Sequence, residues 1–303
     1  MLRPPRPRAA ADFDRGGDAM RGLDSGSRRR ALAALAACGL AALAACATSP
    51  LGRSQLILMP DSEIESMGLA AFAQLKRERP LSRDAAAAGY VQCVASALTR
   101  EIGRLPKRGG EMQLPGVWEV QLFEDDSANA FALPGGKIGV HTGLLQVART
   151  PGQLAAVLGH EVGHVLARHS NERVSQQLGA QLGLMGAGAA LGAISQTGSA
   201  SQQLIYQALG VGSQLGLLKF SRVQESESDE IGLDLMALAG FDPRESVELW
   251  KNMERASQGQ PPEFLSTHPS HGTRIADLYE RMPEAQALQK QALAAGRRPR
   301  CAR

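Results

Sequence analysis

The stretch His160-Glu161-Val162-Gly163-His164, inside an apolar run from 154 to 168, constrains this chain more than any other. Two histidines four residues apart on a helix share one face, because four steps of about 100° return nearly to the start. The surroundings are helical in pattern: Leu154, Ala155, Ala156, Val157 and Leu158 lead in, Val165, Leu166 and Ala167 follow, and Pro151 suits a first turn. The two imidazoles then converge on one point, as nitrogen ligands of a Zn²⁺ ion do. Glu161 directly follows the first histidine, where it can act on a water as general base. A buried helix whose histidines only hydrogen-bond would show the same spacing, so a metal site needs a third ligand elsewhere.

A second helical stretch offers one. It opens at Ser221 and runs to a Gly240 stop, with Glu225 and Asp229 again four apart on one face. One carboxylate can bind the metal while the other accepts the free ring N–H of a ligand histidine. An acidic helix start is also a favourable partner for the helix dipole, so spacing alone does not choose between these readings. His169 is not a third ligand. It lies five residues after His164, and on a continuous helix it points about 140° away from the metal face.

The N-terminus reads as a segment removed from the fold. Arg28, Arg29 and Arg30 precede an Ala/Leu run from 31 to 45, which ends Leu43-Ala44-Ala45-Cys46. A positive flank, a short apolar core and small residues before a cut are a secretory signal, and this ending resembles a bacterial lipobox with Cys46 as the lipidated residue. Cys38 sits in a second Leu-Ala-Ala-Cys, but Cys46 leaves the longer apolar core. Residues 1–19 fit no part of such a leader, and Met20 would open a compact one. Residues 1–45 hold eight Arg and four Asp, a net +4, against +3 for the whole chain, so the remainder is 3 − 4 = −1. The basic balance therefore belongs to the leader, and no basic patch interleaved with aromatics points to nucleic acid. Past Cys46 only Cys93 and Cys301 remain, and two cysteines do not establish a pairing.

Residues 46–60 read as a linker and extended lead-in. Ser62 with Glu65 has the capping-box signature of a helix through about Lys76, with Ile64, Met67, Leu69, Phe72 and Leu75 as its apolar stripe. Asp84 caps a second helix to about Leu105, with Tyr90, Val91, Val94, Leu98 and Ile102 facing inward. Val117, Glu119, Gln121 and Phe123 then alternate with Trp118, Val120 and Leu122, a strand pattern. Asn129, Ala130, Phe131, Ala132 and Leu133, the turn Pro134-Gly135-Gly136 and residues 137–141 form a hairpin just before the motif helix. Such a strand either pairs with an extended substrate or only packs on the helix. Residues 178–218, rich in Gly, Ala and Leu, read as a helical hairpin that covers the site or leans on a membrane surface. Residues 284–303 read as a polar helix with a basic end, a solvated tail.

The order of several motifs resembles the HtpX and CAAX-prenyl-protease family of zinc metallopeptidases, especially its periplasmic lipoprotein members of the LoiP and BepA kind. The matching pieces are Gly52-Arg53-Ser54-Gln55-Leu56, residues 129–136, Thr142-Gly143-Leu144-Leu145, the lead into HEVGH, Ser221-Arg222 with Glu225 and Asp229, Gly240-Phe241-Asp242-Pro243, and Thr267-His268-Pro269-Ser270 with Arg274-Ile275. The resemblance implies that Glu225 is the third ligand and that Asp229 orients a ligand histidine. It implies a place near the metal for His268, either stabilising the oxyanion or filling the open position in a closed state, and for Arg274 a role in steadying that loop or the developing charge. Ser228 stands where the family usually has Ala. HtpX carries membrane spans and BepA a long repeat domain after the protease part, so neither integral-membrane substrates nor repeat-mediated docking is expected of this chain.

The expectation is thus one α+β, mostly helical, zincin-type domain over 61–283, with a small sheet beside the HExxH helix. One Zn²⁺ per chain is held by His160, His164 and Glu225. Glu161 is the general base, and residues 129–133 align the substrate. By family resemblance, the substrates are misfolded or unassembled envelope proteins, on the periplasmic side of a membrane reached through Cys46. Ala47 after Cys46 leans towards the outer membrane. The alternative is an outer-membrane assembly factor or chaperone whose metal site is latent and plugged by His268.

Overall fold

The computed structural model describes residues 46–185, 220–256, 263–268 and 273–302. The expected leader at 1–45, residues 186–218 of the expected hairpin, and Pro269, Ser270 and His271 lie outside that set. Backbone contacts group residues 47–303 as one compact unit, and the elements below belong to it.

The fold is α+β and mostly helical. A short strand β1 (Ser54–Leu56) leads to helix α1 (Asp61–Glu78) and helix α2 (Ala85–Thr99), which ends in a 3₁₀ turn at Ile102–Arg104. Strands β2 (Glu119–Phe123), β3 (Ala130–Leu133) and β4 (Lys137–His141) follow, then the one-turn α3 (Leu144–Val147). The remaining helices are α4 (Pro151–Leu166), α5 (His169–Met185), α6 (Arg222–Leu238), α7 (Arg244–Ala256), α8 (Glu263–Thr267) and α9 (Arg274–Ala294). Among the described residues no helix is long and apolar enough to cross a membrane.

The sheet has the order β2-β4-β3. β2 runs parallel to β4, and β3 pairs antiparallel to β4 with Ala132 opposite Ile138. The hairpin turn takes Gly135 at φ 83° and Gly136 at φ 72°, values that side chains resist. The strand order makes β3 an edge strand, and its Ala132 N–H meets Glu161 of α4.

Helix α4 is buried along its length, from Gly152 to Leu166: apolar residues occupy most of its circumference, and Gln153, His160, Glu161 and His164 are buried with them. Thr150 caps it by accepting from Gln153 N–H at 3.1 Å. α6 crosses it at backbone contact: a Cβ on Gly232 would stand 2.7 Å from the Gly159 carbonyl carbon and from His160 N. Small residues at this crossing bring the Glu225–Asp229 turn of α6 over the two histidines of α4.

Three local expectations change. The Ser62–Glu65 capping box does not form: α1 begins at Asp61, Pro60 occupies the cap position without a side-chain bond, and Ser62 is already inside the helix. Leu69 is 41% exposed, while Gly68 and Ala71 take the buried face against the hairpin turn. Residues 284–303 are not a solvated tail. α9 continues to Ala294 through Pro283 and buries Ala285 and Ala292, and Cys301 forms a disulfide with Cys93 of α2.

Candidate metal centre

Donor atoms of His160, His164, Glu225 and His268 lie within 4.8 Å of one another, and all four residues are buried. The histidines of α4 face inward through Nε2, at 3.0 Å from each other. α6 supplies Glu225, whose carboxylate stands 3.4 Å from His160 Nε2 and 3.6 Å from His164 Nε2. The capping box that opens α6 holds this turn: Ser221 Oγ accepts from Gln224 N–H, and Gln224 Oε1 accepts from Ser221 N–H at 3.0 Å. His268, just past α8, brings Nδ1 to 3.2 Å from His160 Nε2 and 3.0 Å from Glu225 Oε1.

Charged groups surround this cluster. Asp229 Oδ1 lies 2.8 Å from His160 Nδ1. Arg274, at the first turn of α9 and 1% exposed, donates from Nη1 to Glu225 Oε2 at 2.9 Å and from Nη2 to Asp229 Oδ1 at 2.7 Å. Its Nη2 is also 3.0 and 3.3 Å from the two ring nitrogens of His160; such similar distances put it in line with neither lone pair. The guanidinium lies over Trp250 of α7, 3.7 Å from the ring centroid. Phe220 stacks on His164 and Phe264 stacks on His268, sealing the cluster with apolar rings.

Glu161 is buried between β3 and His268. Its Oε2 accepts Ala132 N–H at 3.1 Å, and its Oε1 is 3.3 Å from His268 Nε2. Burial lifts this carboxyl to about 7 against the opposing pull of His268. Burial would also raise Glu225, but His268 and His160 outweigh it and hold the group far below the ordinary carboxylate range. Burial and Arg274 push His160 down, yet its bonds to Asp229 and Glu225 win and raise it. Burial and the neighbouring His160 hold His164 well below the ordinary imidazole value.

This donor set fits a divalent cation. The outer nitrogen of each motif histidine has a partner, Asp229 for His160 and His169 Nδ1 at 2.9 Å for His164. With neutral rings protonated on the outer side, two bare Nε2 atoms and a carboxylate oxygen face one point. A cation at that point would satisfy all three. Imidazole nitrogen with carboxylate oxygen is a donor mix that Zn²⁺ and its first-row neighbours take.

The structure brings together His160, Glu161, His164, Glu225, Asp229, His268 and Arg274. Of residues 129–133, Ala132 reaches the cluster through its backbone N–H. The side chains of Ala130 and Leu133 are in the core, Phe131 packs on Phe123 and His141, and Asn129 is buried with its carbonyl bonded to His141 N–H. His169 stays outside the donor cluster but touches His164, which phase counting along a helix did not anticipate. α4 ends at Leu166 and Arg168 takes φ 58°, so α5 starts in a new direction and the 140° argument does not apply across the break. Glu227, behind His169, carried no signal, since two steps from Glu225 place it on the opposite side of α6.

The sequence pattern described as "Peptidase family M48" matches residues 65–282. Among curated proteins the chain is similar to the mitochondrial metalloendopeptidase OMA1 of Schizosaccharomyces pombe, 41% identical over 171 residues, which are 56% of this chain and 48% of that protein. It is similar to the beta-barrel assembly-enhancing protease of Escherichia coli, 31% identical over 220 residues, 71% of this chain and 43% of that protein. A third relative is the mitochondrial metalloendopeptidase OMA1 of Bos taurus, 37% identical over 187 residues, 57% of this chain and 34% of that protein. The chain thus spans less than half the length of each of these relatives.

Proposed function

Because this chain belongs to peptidase family M48, we propose that it is a zinc-dependent endopeptidase in which His160, His164 and Glu225 hold the metal and Glu161 is the general base. The observation that carries this reading is the convergence of the four donor atoms next to a buried carboxyl poised near neutrality. When bound, the metal supplies Lewis acidity for the scissile carbonyl and acidifies a water. Glu161 takes the proton of the attacking water on Oε1 and returns it to the leaving amine. A carboxyl near 7 can hold and release a proton at neutral pH. Asp229 keeps the His160 ring turned, and Arg274 neutralises the two carboxylates of α6. The β3 edge aligns an extended peptide through its backbone. His268 and Arg274 then face the charge that develops on the carbonyl oxygen.

The substrates in this reading are unfolded or unassembled envelope proteins, met on the periplasmic side of the outer membrane by a chain anchored through Cys46. The name of the Escherichia coli relative and the lipobox-like residues 43–46 support it. The family resemblance to periplasmic lipoprotein members points the same way.

One observation favours a second reading. His268 belongs to the donor cluster itself, 3.2 Å from His160 Nε2, so it can fill the position a water would need. The protein would then be a chaperone or assembly factor for outer-membrane proteins, with a latent metal site opened when His268 leaves.

The test uses the soluble form from Ala47 onward beside its Glu161→Gln variant, with zinc content and casein cleavage as readouts. One zinc per chain in both, with cleavage only by the parent, establishes the protease. Zinc in both with cleavage by neither favours the latent site, and His268→Ala should then gain cleavage. No zinc in the parent rejects the metal reading.

A further inference from the structure

Behind His164, on the side away from the donor cluster, runs a second chain of buried polar groups that the proposed chemistry does not use. His169, fully buried at the start of α5, sets Nδ1 2.9 Å from His164 Nδ1 and Nε2 3.1 Å from Glu227 Oε2. Ser228 Oγ lies 3.2 Å from the same Nδ1. Glu227 Oε2 accepts in turn from Arg53 Nε at 3.1 Å. Arg53 also grips Glu172 of α5 through both terminal nitrogens, at 2.6 and 2.7 Å. Glu172 is braced by Gln224 at 2.8 Å and by Gln55 at 3.2 Å. Three stretches of the chain thus meet behind one ligand ring: the ribbon around β1, the junction of α4 with α5, and the first turns of α6.

We propose that His169, set by Glu227 and Arg53, is a positioning residue that presents the Nε2 lone pair of His164 to the metal. This rests on the zinc reading above. The logic is one of tautomers. A carboxylate only accepts, so the Glu227 contact puts the proton of a neutral His169 ring on Nε2. Nδ1 of His169 is then bare, and a bare His164 Nδ1 at 2.9 Å would set two lone pairs against each other. His164 must therefore carry its proton on Nδ1, which leaves its Nε2 bare and aimed at the cluster. Each assignment follows from the one before, starting at a salt bridge on the half-buried Arg53. His160 receives the same instruction from Asp229 in one step. The consequence is that the ribbon at 49–55, more than a hundred residues before the motif, belongs to the support of the metal centre.

The test measures Zn²⁺ affinity of the full chain by competition with a chelator of known affinity, together with the melting temperature of each protein stripped of metal. His169→Phe keeps ring volume but removes the acceptor; affinity should fall about 10- to 100-fold, the usual effect of losing an outer partner of a metal ligand. His169→Asn puts an amide oxygen near the old Nδ1 position and should recover most of that loss. Arg53→Met should lower affinity in the same direction by less, since it acts on His164 only through Glu227 and His169. Parent-like affinity in His169→Phe, or equal weakness in the Phe and Asn variants with equally lowered metal-free melting, reduces His169 to packing and overturns the proposal. Should His169→Phe not fold, Glu227→Gln and Arg53→Met decide alone: unchanged affinity in both overturns it. A parent that binds no Zn²⁺ rejects the metal reading itself, a result visible before any variant is made.

Discussion

His160 and His164 aim the same atom at the same point, yet their outer nitrogens are held in contrasting ways. On the His160 side a carboxylate touches the ring directly, and its charge is shared with Arg274 in a site sealed by Trp250 and Phe264. On the His164 side the ring meets another imidazole, and negative charge appears one residue further out, at Glu227. A direct anion makes a ring more basic, whereas a neutral acceptor fixes orientation with less charge. His160 is raised, its bonds to Asp229 and Glu225 overcoming burial and Arg274, while burial and the neighbouring His160 lower His164. The difference teaches that one side of this centre is held by buried charge close to the metal position. The other is held by a relay that ends near solvent and depends on the N-terminal ribbon.

The largest expected effect tests the charged side. Arg274→Met leaves Glu225 and Asp229 buried without their cation, and breaking a buried pair from one end costs about 3–5 kcal/mol. Urea unfolding of the metal-free protein should show a loss of that order, and a loss under 1 kcal/mol would mean that solvent reaches these carboxylates. Next comes the element common to both sides. Gly232→Ala forces a methyl against the backbone of Gly159 and His160, where neither neighbour can swing away. Overpacking of this kind costs about 1–3 kcal/mol. It should weaken Zn²⁺ binding as well, because both histidines move relative to Glu225; full stability with weak binding would separate helix packing from ligand geometry.

The two sides are compared directly by Asp229→Asn and Glu227→Gln. Loss of an outer partner weakens metal binding about 10- to 100-fold. Asp229→Asn belongs at the upper end, since it removes an anion in contact with the ring, and Glu227→Gln at the lower. Equal effects in a competition titration would erase the contrast.

The smallest effect is a pH slope. Burial would raise Glu227, but its bonds to His169 and Ser49 and the charge of Arg53 outweigh it and bring the group to about 2, from 4.5. Glu172 is likewise lowered, with Arg53 and Gln224 overcoming burial. A carboxyl depressed in the folded state stabilises fully above its unfolded value, and that contribution is lost as pH falls through the folded one. The network should therefore hold its full contribution above about pH 4.5 and lose it between there and about pH 2. Arg53→Met should flatten that part of the stability curve measured by urea midpoints; an unchanged slope would assign it to other carboxylates.

Much of this centre was legible in the sequence because it is built on helices with local periodicity. His160 and His164, and then Glu225 and Asp229, are four apart, and that spacing alone puts each pair on one face. The N-cap at Asp84 and the hairpin with its Gly135-Gly136 turn were legible for similar local reasons. Failures came where a boundary shifted or a chain broke phase. Pro60 displaced the expected cap of α1, and the left-handed Arg168 put His169 behind His164 instead of away from it. The tail after 284 looked polar because its few buried contacts, Ala285, Ala292 and Cys301, are small side chains with little hydrophobic signal.

The sequence by itself determined the candidates: the histidines and carboxylates able to ligate, the glutamate able to carry a proton, and the helices that hold them. Only the tertiary structure decided how those groups meet. The approach of α4 and α6 at Gly159 and Gly232, the arrival of Arg274 and His268 from a later stretch, and the relay from Arg53 to His164 are contacts between distant segments. Local periodicity records which face of an element is buried and says nothing of what that face is buried against.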